Sequence, residues 1–305
     1  PLTHANPEEC VNIFGKINGN VWNLANNHSM DCGHEGMMSS LEVAIRNNCV
    51  TLGAGMNIDE AQKPLYIESD GGIGIVSVTY FRQNRADFNT PGCFIAEDEE
   101  DVKRKIKEVK SRCRWCIVIS HVGQEFSQLP LPFLRERYKR YLKYGADVIV
   151  GHHSHVVQGY EKFEDKMVFY SLGNFIFDTD YQRIQSYTDY GMLIKLKFNN
   201  DNFSWEYLPI KNDREILRLS ECATPAIFKE IKSREYALLW PLTARYLYKN
   251  ERKKNIFHHP EYANRSWFEW LVKFDLKNCK KAQGRNVLIG RFLSLFRFWK
   301  FLDFN

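Results

Sequence analysis

Gly145-Ala-Asp-Val-Ile-Val-Gly-His-His-Ser-His155 is the stretch on which the fold turns. Gly145 closes a helix-patterned segment, Leu131 to Tyr144, as a residue free to take positive φ should. Asp147 to Val150 then predicts a short buried strand. Three imidazoles follow at His152, His153 and His155. The same order, a strand and then a polar side chain, recurs upstream. Cys116-Ile-Val-Ile-Ser120 leads into His121, and the strand candidate Val21 to Leu24 leads into Asn26, Asn27 and His28. Open α/β sheets bind ligands outside the carboxyl ends of their strands. Imidazoles delivered to one edge by three strands supply what a metal centre needs. With neutral oxygen from Asn26 or Asn27, they suit Zn, Mn or Fe. One histidine after a strand reads as a hydrogen-bonded structural residue; His28, His121, His153 and His155 sharing that position favour a centre.

Alternation continues outward. Glu35 to Asn47 predicts a helix with Met38, Leu41, Ala44 and Ile45 on one face. Ile73 to Phe81 is a β-branched strand, and Asp98 to Arg112 a charged helix. Met167 to Leu172 and Met192 to Phe198 read as strands, with Trp205 to Ile210 as an antiparallel addition. The pattern predicts an α/β or α+β layered domain over residues 1–214. From Glu215 onward the segments turn helical, which sets 215–305 apart as a basic, aromatic-rich helical region.

The chain has 305 residues, 44% hydrophobic and 26% charged, ordinary for a globular protein and against disorder. It contains no transmembrane-length apolar run and no signal peptide at Pro1 to Glu9, and it opens on a residue other than Met. A net charge of +5 is too mild to call for nucleic acid. The charge is uneven: Leu242 to Asn305 carries 14 Lys/Arg against 5 Asp/Glu, which leaves the body acidic. The eight cysteines do not read as a disulfide scaffold and lean toward a reducing, cytoplasmic compartment. Cys113 and Cys116 form a CxxC without a second pair, so strand packing is favoured over zinc or redox chemistry. Gly71-Gly72-Ile-Gly74 precedes a strand and reads as a turn. The acidic run Glu97 to Asp101 reads as a helix start, and His258-His259 as surface or packing. The aromatic stretch Val287 to Phe304 reads first as a packing helix and second as a candidate for membrane contact.

Five motifs in order resemble the CapA family, capsule and poly-γ-glutamate synthesis proteins with a calcineurin-like metallophosphoesterase fold. Asn23-Leu-Ala-Asn-Asn-His28 with Asp31 and Gly33 is similar to its LANNHxxDxG. Gly53-Ala-Gly55 with Ala61 and Pro64 looks like its GAG segment, and Ser120-His-Val-Gly123 with Glu125-Phe126 like its HWGxEY. Gly145 to Gln158 resembles GADxxxGHHPHVVQ, and Tyr170-Ser-Leu-Gly-Asn-Phe175 matches YSLGNF. The resemblance implies a β-sandwich flanked by helices and a site for one or two divalent ions (Mn, Zn or Fe). By analogy Asn27, His121 and His153 would bind one ion and His155 the other. His28, oriented by Asp31, would act at the substrate. Glu125, His152 and Asn174 would line the pocket, with His152 open to a ligand role.

The family's amino-terminal aspartate and NLE-type motifs find no match in Pro1 to Val21. A fragment of a longer protein is therefore expected, with a degenerate site, its ions partly or wholly lost, as the alternative. The expected function is surface-polymer biosynthesis through a metal-dependent, phosphoesterase-like hydrolase site. The other reading is a non-catalytic accessory subunit that binds polymer. Expected partners are a phosphoester or an anionic poly-γ-glutamate-like polymer, and other capsule-synthesis subunits. The family resemblance also allows a membrane-anchored place at the cell surface.

Overall fold

The computed structural model describes Val11 and residues 20–253, apart from 70, 97–98, 176, 178, 214–215 and 220–227. His258-His259, the stretch 287–304 and most of the basic region lie outside the described residues. The chain divides into two units, Pro1–Ala237 and Leu238–Asn305, and every described sheet belongs to the first. The composition change near Glu215 falls within that first unit.

In chain order the elements are β1 (Val21–Asn23), α1 (Gly33–Arg46), β2 (Val50–Leu52), β3 (Ala54–Gly55), α2 (Ile58–Ala61), β4 (Leu65–Ile67) and β5 (Ile73–Thr79). There follow β6 (Gly92–Cys93), α3 (Glu99–Lys110), β7 (Trp115–His121), α4 (Pro132–Tyr144), β8 (Val148–His152), β9 (Tyr160–Phe163) and β10 (Lys166–Phe169). The last are α5 (Asp180–Arg183), β11 (Tyr190–Phe198), β12 (Phe203–Asp213), β13 (Ile216–Leu219) and α6 (Ser233–Lys253). A six-stranded sheet runs β4-β5-β7-β8-β10-β9, with β5, β7, β8 and β10 parallel and both edge strands antiparallel. β11, β12 and β13 form a separate antiparallel sheet. β1 pairs β2 in parallel, and β3 pairs β6 antiparallel.

The layers follow from side-chain periodicity. α3 and α4 pack on one face of the central sheet. α3 buries Val102, Ile106 and Val109, one stripe of helical spacing; α4 buries Leu134, Tyr138, Tyr141 and Leu142. The other face meets β11 and β12. There Ile117, Val148, Met167 and Phe169 join Met192, Ile194, Leu196 and Trp205 in one core. The Trp205 ring stands edge-on to Phe169 at 5.1 Å. Two packed sheets with helices on one side make this the α/β layered fold the sequence predicts. Strand β7 is buried on both faces from Trp115 to Val118, as a central parallel strand must be. Cys116 in that run is a core residue, its thiol pushed up to about 12 mainly by burial, which removes it from redox use at neutral pH.

Two local readings need correction. The buried stripe of α1 is Met37, Leu41 and Ala44, with Val43 beside it, whereas Ile45 is 72% exposed. Positions 37, 41 and 44 are spaced by four and three; 38 and 45 lie one residue further round, about 100° away. His121 is the last residue of β7, not the residue after it, and sits in register between Thr79 and His152. The glycines at 71 and 72, both at positive φ, form the turn into β5 as read.

Gly151 brings β8 hard against the exit of β10. A Cβ there would stand 2.2 Å from the Tyr170 carbonyl oxygen. Gly151→Ala is expected to destabilise the protein by about 1–3 kcal/mol, the usual cost of forcing atoms into a filled interior. Denaturant unfolding checks this; an unchanged midpoint would contradict the close approach.

Candidate metal centre

The carboxyl ends of β5, β7, β8 and β10 lie side by side because the four strands are parallel neighbours. Each exit contributes to one locus. β5 leads to Phe81, β7 ends at His121 and leads to Glu125, β8 leads to His153 and His155, and β10 leads to Asn174. β1, in its own sheet, leads to Asn26, Asn27 and His28. Asn84 anchors that last loop, donating from Nδ2 to the Asn26 carbonyl at 2.8 Å. The Asn26 side chain in turn accepts from the His28 amide at 2.8 Å.

The imidazoles converge. The rings of His121 and His153 are 5.1 Å apart and those of His153 and His155 6.1 Å. His121 Nε2 lies 2.8 Å from Asn27 Oδ1. Donors bonded at about 2.1 Å to a common ion stand about 3 Å apart, so this pair already has ligand-like spacing. Glu125, His153 and His155 each offer a donor atom within 4.8 Å of the other two. His155 Nδ1 lies 2.9 Å from Asn174 Oδ1. His28 Nδ1 lies 2.6 Å from Asp31 Oδ2, with the His28 side chain half exposed at the edge of the cluster. His152, the last residue of β8, is partly buried and stands outside the Glu125–His153–His155 group.

Electrostatics prepares the rings to bind cations. Burial holds His121 well below its ordinary value, with neighbouring His153, His152, His155 and His28 adding to the effect. His153 is lowered to about 4 by burial and then by His155 and His28; His152 is lowered to about 4 by burial. His155 is lowered by burial, with Asn174 and Glu125 opposing. These imidazoles are neutral at pH 7, the form that binds metal. His153 Nδ1 is buried and has no hydrogen-bond partner, a costly arrangement for a polar atom unless a ligand completes it. The backbone is also strained at this point, with φ +95° at His153 and +58° at His155. A divalent cation fits this donor set of neutral nitrogens, one amide oxygen and one carboxylate.

The depressed histidines carry a pH consequence. Between about pH 4 and 6.5 the unfolded chain binds protons that folded His152 refuses, so stability falls as pH drops through that window. His152→Gln is expected to flatten the decline seen in urea unfolding at a series of pH values. An identical slope in the variant would contradict the burial.

Aromatic walls complete the cluster. Phe81 stands edge-on to His153 at 4.8 Å, and Phe126 and Phe177 stack on His155 at 5.9 and 5.0 Å. The sequence reading assigned these rings no role, although Phe81 ends the predicted strand and Phe126 follows Glu125. The model of the bacterial capsule synthesis protein PGA_cap matches residues 2–179, more than half of the chain and all of this cluster. The chain belongs to the CapA family. It is 34% identical over 180 residues to the PGA biosynthesis protein CapA of Bacillus subtilis (strain 168), a match covering 58% of this chain and 47% of that protein. To the capsule biosynthesis protein CapA of Bacillus anthracis it is 30% identical over 183 residues, covering 58% and 44%. The chain thus spans about half the length of each of these CapA relatives. The sheet β11–β12–β13 lies beyond the family match. Among the described residues no helix is long and apolar enough to cross a membrane.

Proposed function

We propose that this CapA-family chain serves surface-polymer biosynthesis through a metal-dependent hydrolase site of phosphoesterase type. The convergence of Glu125, His153 and His155, together with the buried His153 Nδ1 that has no hydrogen-bond partner, is the observation that carries the reading. Glu125, read from sequence as a pocket residue, becomes the carboxylate ligand beside His153 and His155. Asn27 and His121 face the same cluster and supply the donors of a second position. A divalent ion held there contributes Lewis acidity and activates water. Asp31 accepts from His28 Nδ1, so Nε2 faces the substrate, and in the imidazolium form, paired with Asp31, it carries the proton that passes to the leaving oxygen of a bound phosphoester. Phe81, Phe126 and Phe177 limit water around the imidazoles.

Among the described residues only one carboxylate belongs to the ligand triad. Two divalent cations with so little compensating charge repel strongly, which favours a single ion. The same observation supports the second reading, an accessory subunit that binds an anionic polymer of poly-γ-glutamate type without hydrolysing it. A chromogenic phosphoester assay separates the two. Hydrolysis restored to chelator-treated protein by Mn2+, and lost in His28→Ala, supports the hydrolase. No turnover with any added ion, together with chelator-resistant retention on poly-γ-glutamate beads, would replace it with the accessory role.

A further inference from the structure

Asn174 occupies a position where an amide has only one way to face. The segment Ser171 to Asn174 is clamped by backbone on both sides: Val157 bridges Leu172, and Gly173 bridges Gly191. A Cβ at Gly191 would stand 2.0 Å from the Asn174 carbonyl oxygen, and Gly173 takes φ +69° with the Tyr190 carbonyl 2.5 Å from its absent Cβ. The Asn174 side chain, 7% exposed, therefore projects from a fixed backbone. Its Nδ2 donates to the Thr188 carbonyl at 3.1 Å and to Gln182 Oε1 at 3.3 Å. A backbone carbonyl can only accept, so the atom facing Thr188 is the NH2 group, and the atom facing His155 is the oxygen. An oxygen 2.9 Å from His155 Nδ1 requires hydrogen on that nitrogen. The lone pair of neutral His155 then lies on Nε2. Gln182 and Thr188 are themselves buried and tied, Thr188 Oγ1 donating to the Gln182 carbonyl at 2.7 Å and the Gln182 amide to Thr179 Oγ1 at 3.2 Å.

We propose that Asn174 is a positioning residue for the metal centre: held by Thr188 and Gln182, its amide fixes His155 as the Nδ1–H tautomer and reserves Nε2 for the ion. The sequence reading placed Asn174 in the pocket; in this role both ends of its amide are committed within the protein. The inference rests on the metal-centre reading above. It also links ion affinity to Gln182 and Thr188, which meet Asn174 and not His155.

Side-chain 15N correlation spectra of the chelator-treated protein at neutral pH read the tautomer without any ion present. Titration with Mn2+ reads the consequence. Wild type is expected to show His155 with hydrogen on Nδ1. Asn174→Leu, which removes the acceptor, should lose that preference and bind Mn2+ at least about 10-fold more weakly, as orienting partners of ligand histidines generally do. Asn174→Asp keeps an acceptor toward His155 but gives up the bonds to Thr188 and Gln182, so it should retain the tautomer and bind Mn2+ with an affinity between those of wild type and Asn174→Leu. Gln182→Leu, which does not touch His155, should weaken binding to a lesser degree and decides the matter together with the wild-type tautomer if Asn174→Leu does not fold. Hydrogen on Nε2 in wild type, or a folded Asn174→Leu within twofold of wild-type affinity, would overturn the proposal. Wild type that holds the Nδ1–H tautomer yet binds no Mn2+ overturns the metal reading and this role with it, and is told apart because the tautomer stays visible.

Discussion

His153→Gly is expected to be more stable than His153→Ala in the absence of ions, by about 1–2 kcal/mol, the cost an L side chain incurs in left-handed backbone. Both variants should bind divalent ions far more weakly than wild type. Glycine normally loses to alanine, because its unfolded chain has more freedom to surrender. The order inverts here because His153 sits at φ +95°, where only glycine is relaxed. Both substitutions remove the same ring and the same contact with Phe81, so those losses cancel in the comparison. Both also remove the buried Nδ1 that lacks a partner. Ion affinity should fall by about 100-fold or more, at least the loss seen when a ligand's supporting partner is removed. Thermal unfolding of chelator-treated proteins and Mn2+ titration check the two halves. Alanine more stable than glycine would show that position 153 is not strained, and unchanged affinity in both would show that it is not a ligand.

Glu161→Ala is expected to cost about 3–5 kcal/mol, the range found when one partner of a buried ion pair is removed. Arg135 and Glu161 are 8% and 6% exposed at their side chains and form a salt bridge between α4 and β9. Tyr170 donates to the same carboxylate at 3.2 Å, and the Arg135 guanidinium lies 3.9 Å from the Tyr236 ring centroid. Removing Glu161 leaves a guanidinium buried without its counter-charge. Replacing both by apolar residues, as in Arg135→Met with Glu161→Leu, should recover most of the loss, because no isolated charge then remains. Urea unfolding of the two singles and the double measures it. A double variant as unstable as the two single losses added together would contradict coupling between the residues.

Much of the fold was legible because parallel strands announce themselves. The runs at Cys116 to Ser120 and Asp147 to Val150 are β-branched and flanked by helical patterns, and strands with buried faces need such residues. The histidine edge was legible for the same reason: strand exits could be counted along the chain. The packing of β11 and β12 against the central sheet was not, because periodicity gives a strand's faces but not which sheet they meet. Nor was the pairing of Arg135 with Glu161, 26 residues apart, or the aromatic contacts of Phe81 and Phe177 with the imidazoles. Such contacts depend on loop paths, which no local pattern specifies. Glu125 shows the limit within the site. Its place in the stretch that resembles HWGxEY marked it as near the pocket, while its distance to His153 and His155 emerged only from the folded loop. The misread face of α1 is a simpler matter, an error of one residue in helical phase.

Anomalous diffraction from crystals of the Mn2+-loaded protein tests the central claim most directly. The account predicts one strong peak within bonding distance of the Glu125 carboxylate, His153 and His155 Nε2. Mn2+ bound only elsewhere on the protein, with those three side chains unligated, would contradict it.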